Sequence, residues 1–245
     1  MSEVTASSIS PSARPAAMRI ADMLQLMQDN LSIQRRIVHA GEAVYQVGQA
    51  FGSLYIVNSG MFKSVNLSGE GREQVVGLHF KGDWLGFDGI ATARYRCDAV
   101  AMDTGEIWAI RYDMLLQAAT RAPALLTALH EAMSREVARD HDSMLSLCTM
   151  PADARVAGFL RYWADALAQR GLRADQITLR MTRAEIGNYL GMTLETVSRA
   201  LSRMARGDVI HFIEKGRRDI RIPKVEALTS FIQHLMAPME GAALH

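Results

Sequence analysis

Cysteine is nearly absent. Cys97 and Cys148 are the two thiols in 245 residues, and neither belongs to a CxxC pair. That excludes a disulfide framework and, within one chain, a structural zinc site or a four-cysteine cluster. Long apolar runs are missing too. No stretch reaches the roughly 18 residues of a membrane span, and the opening segment MSEVTASSISPSARPAAMRI has no apolar run after a basic start. Neither an integral membrane protein nor a secretory signal is therefore expected, and the cytoplasm is the default compartment. Catalytic signatures are equally scarce: there is no GxSxG, P-loop, HExxH or carboxylate pair at a telling spacing. No enzyme is expected. A cupin-like enzyme, the remote alternative, needs His and Glu ligands on neighbouring strands, and His79 alone does not supply them.

What is present is the composition of an ordinary globule, 49% apolar and 22% charged, in a chain long enough for one or two domains. Ser, Ala and Pro dominate the first residues, so 1–19 reads as a flexible tail. The net charge of +1 conceals an asymmetry. Residues 1–150 carry 13 basic against 16 acidic side chains, whereas residues 151–230 carry 14 against 9. A basic second half suggests a polyanionic partner for it.

Residues 20–34 place apolar side chains at helical spacing. From Ile37 to about Ile110, short apolar runs such as SLYIVNSG and QVVGLHF alternate with glycines, which predicts a small antiparallel barrel or sandwich. The period then changes. Between Tyr112 and Leu147 there is no glycine, and only Pro123 interrupts. Leu126, Leu129, Met133, Val137, Asp140, Met144 and Leu147 fall close to a heptad seam with one acid in it. One long helix over 112–150, paired in parallel with that of a second copy, is expected; packing on its own barrel is the alternative. Thr149-Met150-Pro151 ends it and marks a domain boundary. A helix from Ala152 to Arg170 follows, with Val156, Phe159, Leu160, Trp163 and Leu167 on one face.

Residues 181–206, MTRAEIGNYLGMTLETVSRALSRMAR, read as two short helices joined at a glycine. Thr182 with Glu185 three residues on is a capping box, Gly191 closes the first helix, and Thr193 caps the second. In the second helix Leu194, Val197, Leu201 and Met204 share one face. Glu195, Ser198, Arg199, Ser202, Arg203 and Arg206 occupy the other. That is the composition of a helix-turn-helix. Arg199 can give two parallel hydrogen bonds to guanine O6 and N7, Glu195 can accept from cytosine N4, and Ser198 can touch a base or its methyl. Thr182, Thr193, Ser202 and Arg203 are expected as further DNA contacts. HFIEKGRRDIRIP then reads as a wing whose basic tip, with Arg217 and Arg218, is placed for phosphates.

The order of barrel, long helix and winged helix-turn-helix resembles the Crp/Fnr family of bacterial transcription regulators, over about residues 22–230. The segment MTRAEIGNYLGMTLETVSRAL is similar to the Fnr branch, as is SLYIVNSGMFKSV with GREQVVGLHFKGDWLGFDGIA. The implied fold is α+β: an N-terminal antiparallel β-roll of the cyclic-nucleotide-binding kind over 20–111 and a dimerisation helix over 112–150. A winged helix-turn-helix over 151–230 and a C-terminal tail over 231–245 complete it. Glu195, Ser198 and Arg199 match the family's E-x-x-S-R reader of a TTGAT half-site, which implies a TTGAT…ATCAA palindrome read by a homodimer. The loop around Leu85–Ala91 corresponds to one that touches RNA polymerase. Other family features are missing. The N-terminal extension has no cysteine, and Trp108 stands where the barrel ligand of a [4Fe–4S] cluster would be. No such cluster is expected. For cyclic AMP, the ribose-binding glutamate is replaced by Phe87, and the phosphate-binding Arg-Ser pair reads Arg96-Cys97. Loss of the ribose contact argues against that ligand. Haem on one of His39, His79, His130 and His141, oxidation of Cys97 or Cys148, and another nucleotide stay open as signals.

Overall fold

The computed structural model describes residues 18–67, 73–213 and 218–237. Helix α1 (Ile20–Asn30) buries Met23, Leu24 and Met27. It stops short of the expected Gln34, because Gln34 already belongs to the first strand. Eight strands follow: β1 (Gln34–Val38), β2 (Ala43–Tyr45), β3 (Ser53–Ser59), β4 (Phe62–Leu67), β5 (Glu73–His79), β6 (Trp84–Leu85), β7 (Asp98–Ala101) and β8 (Gly105–Arg111). They make two antiparallel sheets in the orders β1-β8-β3-β6 and β2-β7-β4-β5. Strand β3 shows how the pleat builds two cores. Leu54 and Ile56 face the helices outside the roll, while Tyr55 and Val57 face its interior with Phe62, Leu85 and Ile107. At Gly105 a Cβ would lie 2.4 Å from the Ser59 carbonyl oxygen, so only glycine lets β8 approach β3 there.

The single helix expected over 112–150 is two helices, α2 (Tyr112–Ala119) and α3 (Ala124–Thr149). Pro123 separates them: it lacks an N–H and bars the residue before it from helical conformation. Leu115 of α2 and Leu125, Ala128, Leu129 and Ala132 of α3 pack with Met27, Leu54, Ile56, Trp84, Trp108 and Ile110. Beyond Ala132 no side chain of α3 is fully buried.

After Pro151 come α4 (Ala152–Ala168), β9 (Gln176–Thr178), α5 (Arg183–Tyr189), α6 (Leu194–Arg206), β10 (His211–Phe212), β11 (Asp219–Arg221) and α7 (Val225–Met236). The apolar face expected for α4 is buried as a unit. The wing has a third strand that its hairpin pattern does not announce, in the order β10-β11-β9. Its expected tip, including Arg217, lies outside the described residues, as do most of the expected N-terminal tail and the last eight residues. The C-terminal tail expected from 231 begins later, because Leu228 and Ile232 of α7 are buried. The two halves also share a core: Val65, Val75, Leu78 and Phe80 of the roll join Phe159, Trp163 and the helix-turn-helix in one apolar cluster.

Candidate nucleic-acid interface

The helix-turn-helix is set by short-range chemistry. The Thr182 hydroxyl accepts from the Glu185 amide, and the Glu185 carboxylate accepts from the Thr182 amide at 2.8 Å and from its hydroxyl at 2.9 Å. Between the helices, a Cβ on Gly187 would meet the Met192 carbonyl oxygen at 2.6 Å, and Gly191 adopts φ +61°. Both positions therefore require glycine's conformational and steric freedom. Thr193 caps α6 by accepting from the Thr196 amide. Val197, Ala200, Leu201 and Met204 form the buried stripe. Leu194, expected on that stripe, is 45% exposed, since it opens the helix before the stripe meets its neighbours.

The opposite face carries the expected readers. Glu195 and Arg199 are exposed and Ser198 is half-buried. Backbone amide hydrogen bonding at the helix start, followed by the Thr193 hydroxyl, holds the Glu195 carboxyl below its ordinary range. It is charged at neutral pH and can accept. Arg199 reaches back to the Thr196 hydroxyl at 3.4 Å, and Thr196 in turn meets Thr193 at 3.1 Å. Thr196 was not foreseen; its signal is the spacing of three that stacks it under Arg199.

Four predicted contacts are already committed within the chain, Thr193 among them as the cap of α6. Arg203 makes a forked ion pair with Asp153 of α4, with Nε 2.6 Å from Oδ2. That pairing braces α6 against α4 and draws the guanidinium from the reading face. The Ser202 hydroxyl donates back to the Ser198 carbonyl at 2.8 Å. Thr182 is engaged in its capping box. Ser202, Ala205, Arg206 and Phe212 line an open cleft where α6 meets the wing, and Arg183 lies over the Phe212 ring at 5.8 Å. Arg218 is exposed beside β11.

The predicted seam on α3 divides. Met133, Val137, Met144 and Leu147 are 37%, 52%, 62% and 44% exposed, and Asp140 is exposed among them. Leu126 is half-buried beside the roll. Leu129 is 3% exposed inside its own chain's core, which removes it from the seam. A regular heptad from Met133 back to Leu126 passes through His130, which is exposed.

The predicted effector residues meet an internal ligand. One Asp88 carboxylate oxygen accepts from the Arg96 amide at 2.7 Å, from the Cys97 amide at 3.1 Å and from the Cys97 thiol at 3.3 Å. The Arg96 side chain is exposed, and Phe87 stacks on Trp84 with ring centroids 6.0 Å apart. The two amides that could hold an anion are thus saturated by the chain's own carboxylate, so these residues do not fit a bound phosphate. Burial, then the Asp88 charge, push the Cys97 thiol up to about 12, away from thiolate reactivity. Cys148 is exposed at the far end of α3, so the two thiols do not offer the ligand set of an iron–sulfur cluster. Trp108 is a buried indole donating to Glu106 at 2.7 Å. Among the described residues no group of His, Cys, Asp and Glu is arranged to hold a metal ion, and no helix is long and apolar enough to cross a membrane. His79 is buried with Nε2 2.7 Å from the Ser64 hydroxyl, and burial lowers it to about 4. His39, after β1, and His130 and His141, eleven residues apart on α3, are exposed.

Comparison with known proteins places these parts. The Crp-like helix-turn-helix domain matches residues 154–231, and the cyclic nucleotide-binding domain matches residues 35–122. The chain is 35% identical to the fumarate and nitrate reduction regulatory protein of Yersinia pestis, over 74% of this chain and 73% of that one. The chain belongs to the Crp/Fnr family. This Crp/Fnr regulator is also 36% identical to the transcriptional activator protein Anr of Pseudomonas protegens, over 83% of its own length and 82% of Anr. Its fold matches FixK2 of Bradyrhizobium japonicum with a TM-score of 0.71 at 28% identity, covering 85% of this chain and 99% of FixK2. It is therefore a transcription regulator with a DNA-binding helix-turn-helix.

Proposed function

We infer that this Crp/Fnr regulator binds a TTGAT…ATCAA palindrome as a cytoplasmic homodimer. What carries the reading is the polar face of α6: Glu195, Ser198 and Arg199 stand outward on a helix whose other side is buried. Glu195 accepts from a cytosine amino group and Arg199 donates to guanine, while Arg218, with Arg217, contacts phosphate. Met133, Val137, Met144 and Leu147 meet their copies across a two-fold axis, which sets two recognition helices on successive major grooves. The roll carries neither a [4Fe–4S] cluster nor cyclic AMP, because its thiols and its saturated amide pair suit neither. The loop at Leu85–Ala91 faces RNA polymerase in this reading.

The test is binding of aerobically purified protein to a TTGAT…ATCAA duplex and to a scrambled duplex at one salt concentration. Tight binding to the palindrome with nothing added is the expected result. Equal affinity for both duplexes overturns the half-site assignment.

A further inference from the structure

Strand β5 is the free edge of its sheet. An edge strand presents unpaired N–H and C=O groups that a folded chain must satisfy or cover. Here a side chain from the other half does so. The Asn188 carboxamide, near the end of α5, accepts from the Val75 amide at 2.6 Å through Oδ1 and donates to the Glu73 carbonyl through Nδ2. These are the donor and acceptor, two residues apart on one side of the strand, that a further strand would engage. Gln74 closes the ring by donating to the Asn188 carbonyl at 2.6 Å. Asparagine suits the position chemically: it offers one donor and one acceptor in a plane, whereas aspartate has no donor for the Glu73 carbonyl.

Neighbouring contacts hold the same surfaces together. Lys63 of β4 lies 2.5 Å from the Glu185 carboxylate, one helical turn before Asn188. Arg180 lies 3.4 Å from Asp103. Val65 and Val75 share the apolar cluster with Ile186 and Leu190. None of these contacts uses the outward face of α6.

We propose that Asn188 is a positioning residue for DNA recognition: it clasps the first helix of the helix-turn-helix to the edge of the roll and so sets the direction in which the recognition helix points. The clasp matters most for a palindrome, where two recognition helices must arrive together. If the helix-turn-helix swings about the Thr149–Pro151 connection, the second half-site is found at a lower effective concentration. A single half-site requires no such agreement. The DNA part of this proposal rests on the half-site reading above; the clasp itself does not.

The test uses full-length protein with Asn188→Ala and the isosteric Asn188→Asp. Amide hydrogen exchange is followed at Val75, with Val197 and Leu201 as controls for the integrity of the helix-turn-helix. Affinity is measured for the TTGAT…ATCAA duplex and for a duplex with one half-site. The expected result is exchange at Val75 faster by about ten-fold in Asn188→Ala and by less in Asn188→Asp, whose carboxylate still accepts from the Val75 amide but gives nothing to the Glu73 carbonyl, with the α6 controls unchanged in both. Preference for the palindrome over the single half-site should fall by about ten-fold. Unchanged protection at Val75 in Asn188→Ala overturns the clasp. Deprotection with an unchanged palindrome preference overturns the positioning role. If the wild-type protein distinguishes neither duplex from a scrambled one, the half-site reading fails and the positioning role with it, while exchange at Val75 still decides the clasp.

Discussion

Glu136 sits on α3 among the charges of Arg139, Asp140, Asp88 and Asp83, and it should make stability depend on pH with a definite sign. Its Oε2 atom is buried and has no hydrogen-bond partner. Burial raises its carboxyl to about 7; Arg139 works against that rise, and Asp140, Asp88 and Asp83 add to it. Arg139 cannot serve Glu136 alone, because it is drawn to Asp83 at 3.3 Å. A carboxyl whose folded-state pKa is raised binds its proton more tightly folded than unfolded. Stability is therefore lost as pH rises from about 4.5 to about 7 and is level above that. The rise corresponds to about 3 kcal/mol at most, and partial access of water reduces that to about 1–2 kcal/mol. Glu136→Gln removes the charge at nearly the same volume. At pH 8 the variant should be more stable than wild type by that amount, about 2–8 °C in Tm for a chain of this size. At pH 5 the two should nearly coincide. His79, lowered to about 4 by burial, acts with the opposite sign, gaining stability as pH rises toward its ordinary value, but it is common to both proteins and cancels in the difference. Thermal unfolding of both at pH 5, 6, 7 and 8 is the assay. A Tm difference that is the same at every pH refutes the burial argument.

The exposed row on α3 should hold the dimer, so Val137→Glu with Met144→Glu, which set four charges in the apolar seam of a pair, should give monomers in light scattering while helicity is kept. Arg199→Ala should cost about 1–3 kcal/mol of DNA affinity and relax selection at one base pair, read by selection from randomised duplexes; a loss equal on every sequence denies it a base contact. Gly187→Ala places a Cβ 2.6 Å from the Met192 carbonyl oxygen. It should destabilise the helix-turn-helix by about 1–3 kcal/mol in urea unfolding; an unchanged midpoint would show that the turn can shift.

The helix-turn-helix was legible because its determinants are local. Thr182 and Glu185 lie three residues apart, Gly191 lies in the turn, and the α6 stripe repeats within thirteen residues. The strand texture of the roll was legible for the same reason. Helix α7 carried a signal that went unread: Val225, Leu228, Ile232 and Leu235 fall at helical spacing. Other features depend on partners far along the chain. Arg203 looks like a DNA-facing arginine until Asp153, fifty residues earlier, takes it. Leu129 fits an apolar seam as well as it fits a core, and only the position of the roll assigns it. Trp108 and β9 behave similarly: their roles come from the sheet and the wing they join.

The Asp88 contact changes what entry of a small anion into the roll would require. The carboxylate acts as a competitor tethered beside the Arg96 and Cys97 amides. A free anion would meet an open slot only in molecules whose Asp88 has swung away, so its apparent Kd is the intrinsic value divided by that open fraction. A tether of this kind would turn any such slot into a threshold: trace anions would leave the roll unchanged, and exchanging Asp88 for a side chain without charge would lower the threshold without adding a single contact to the ligand.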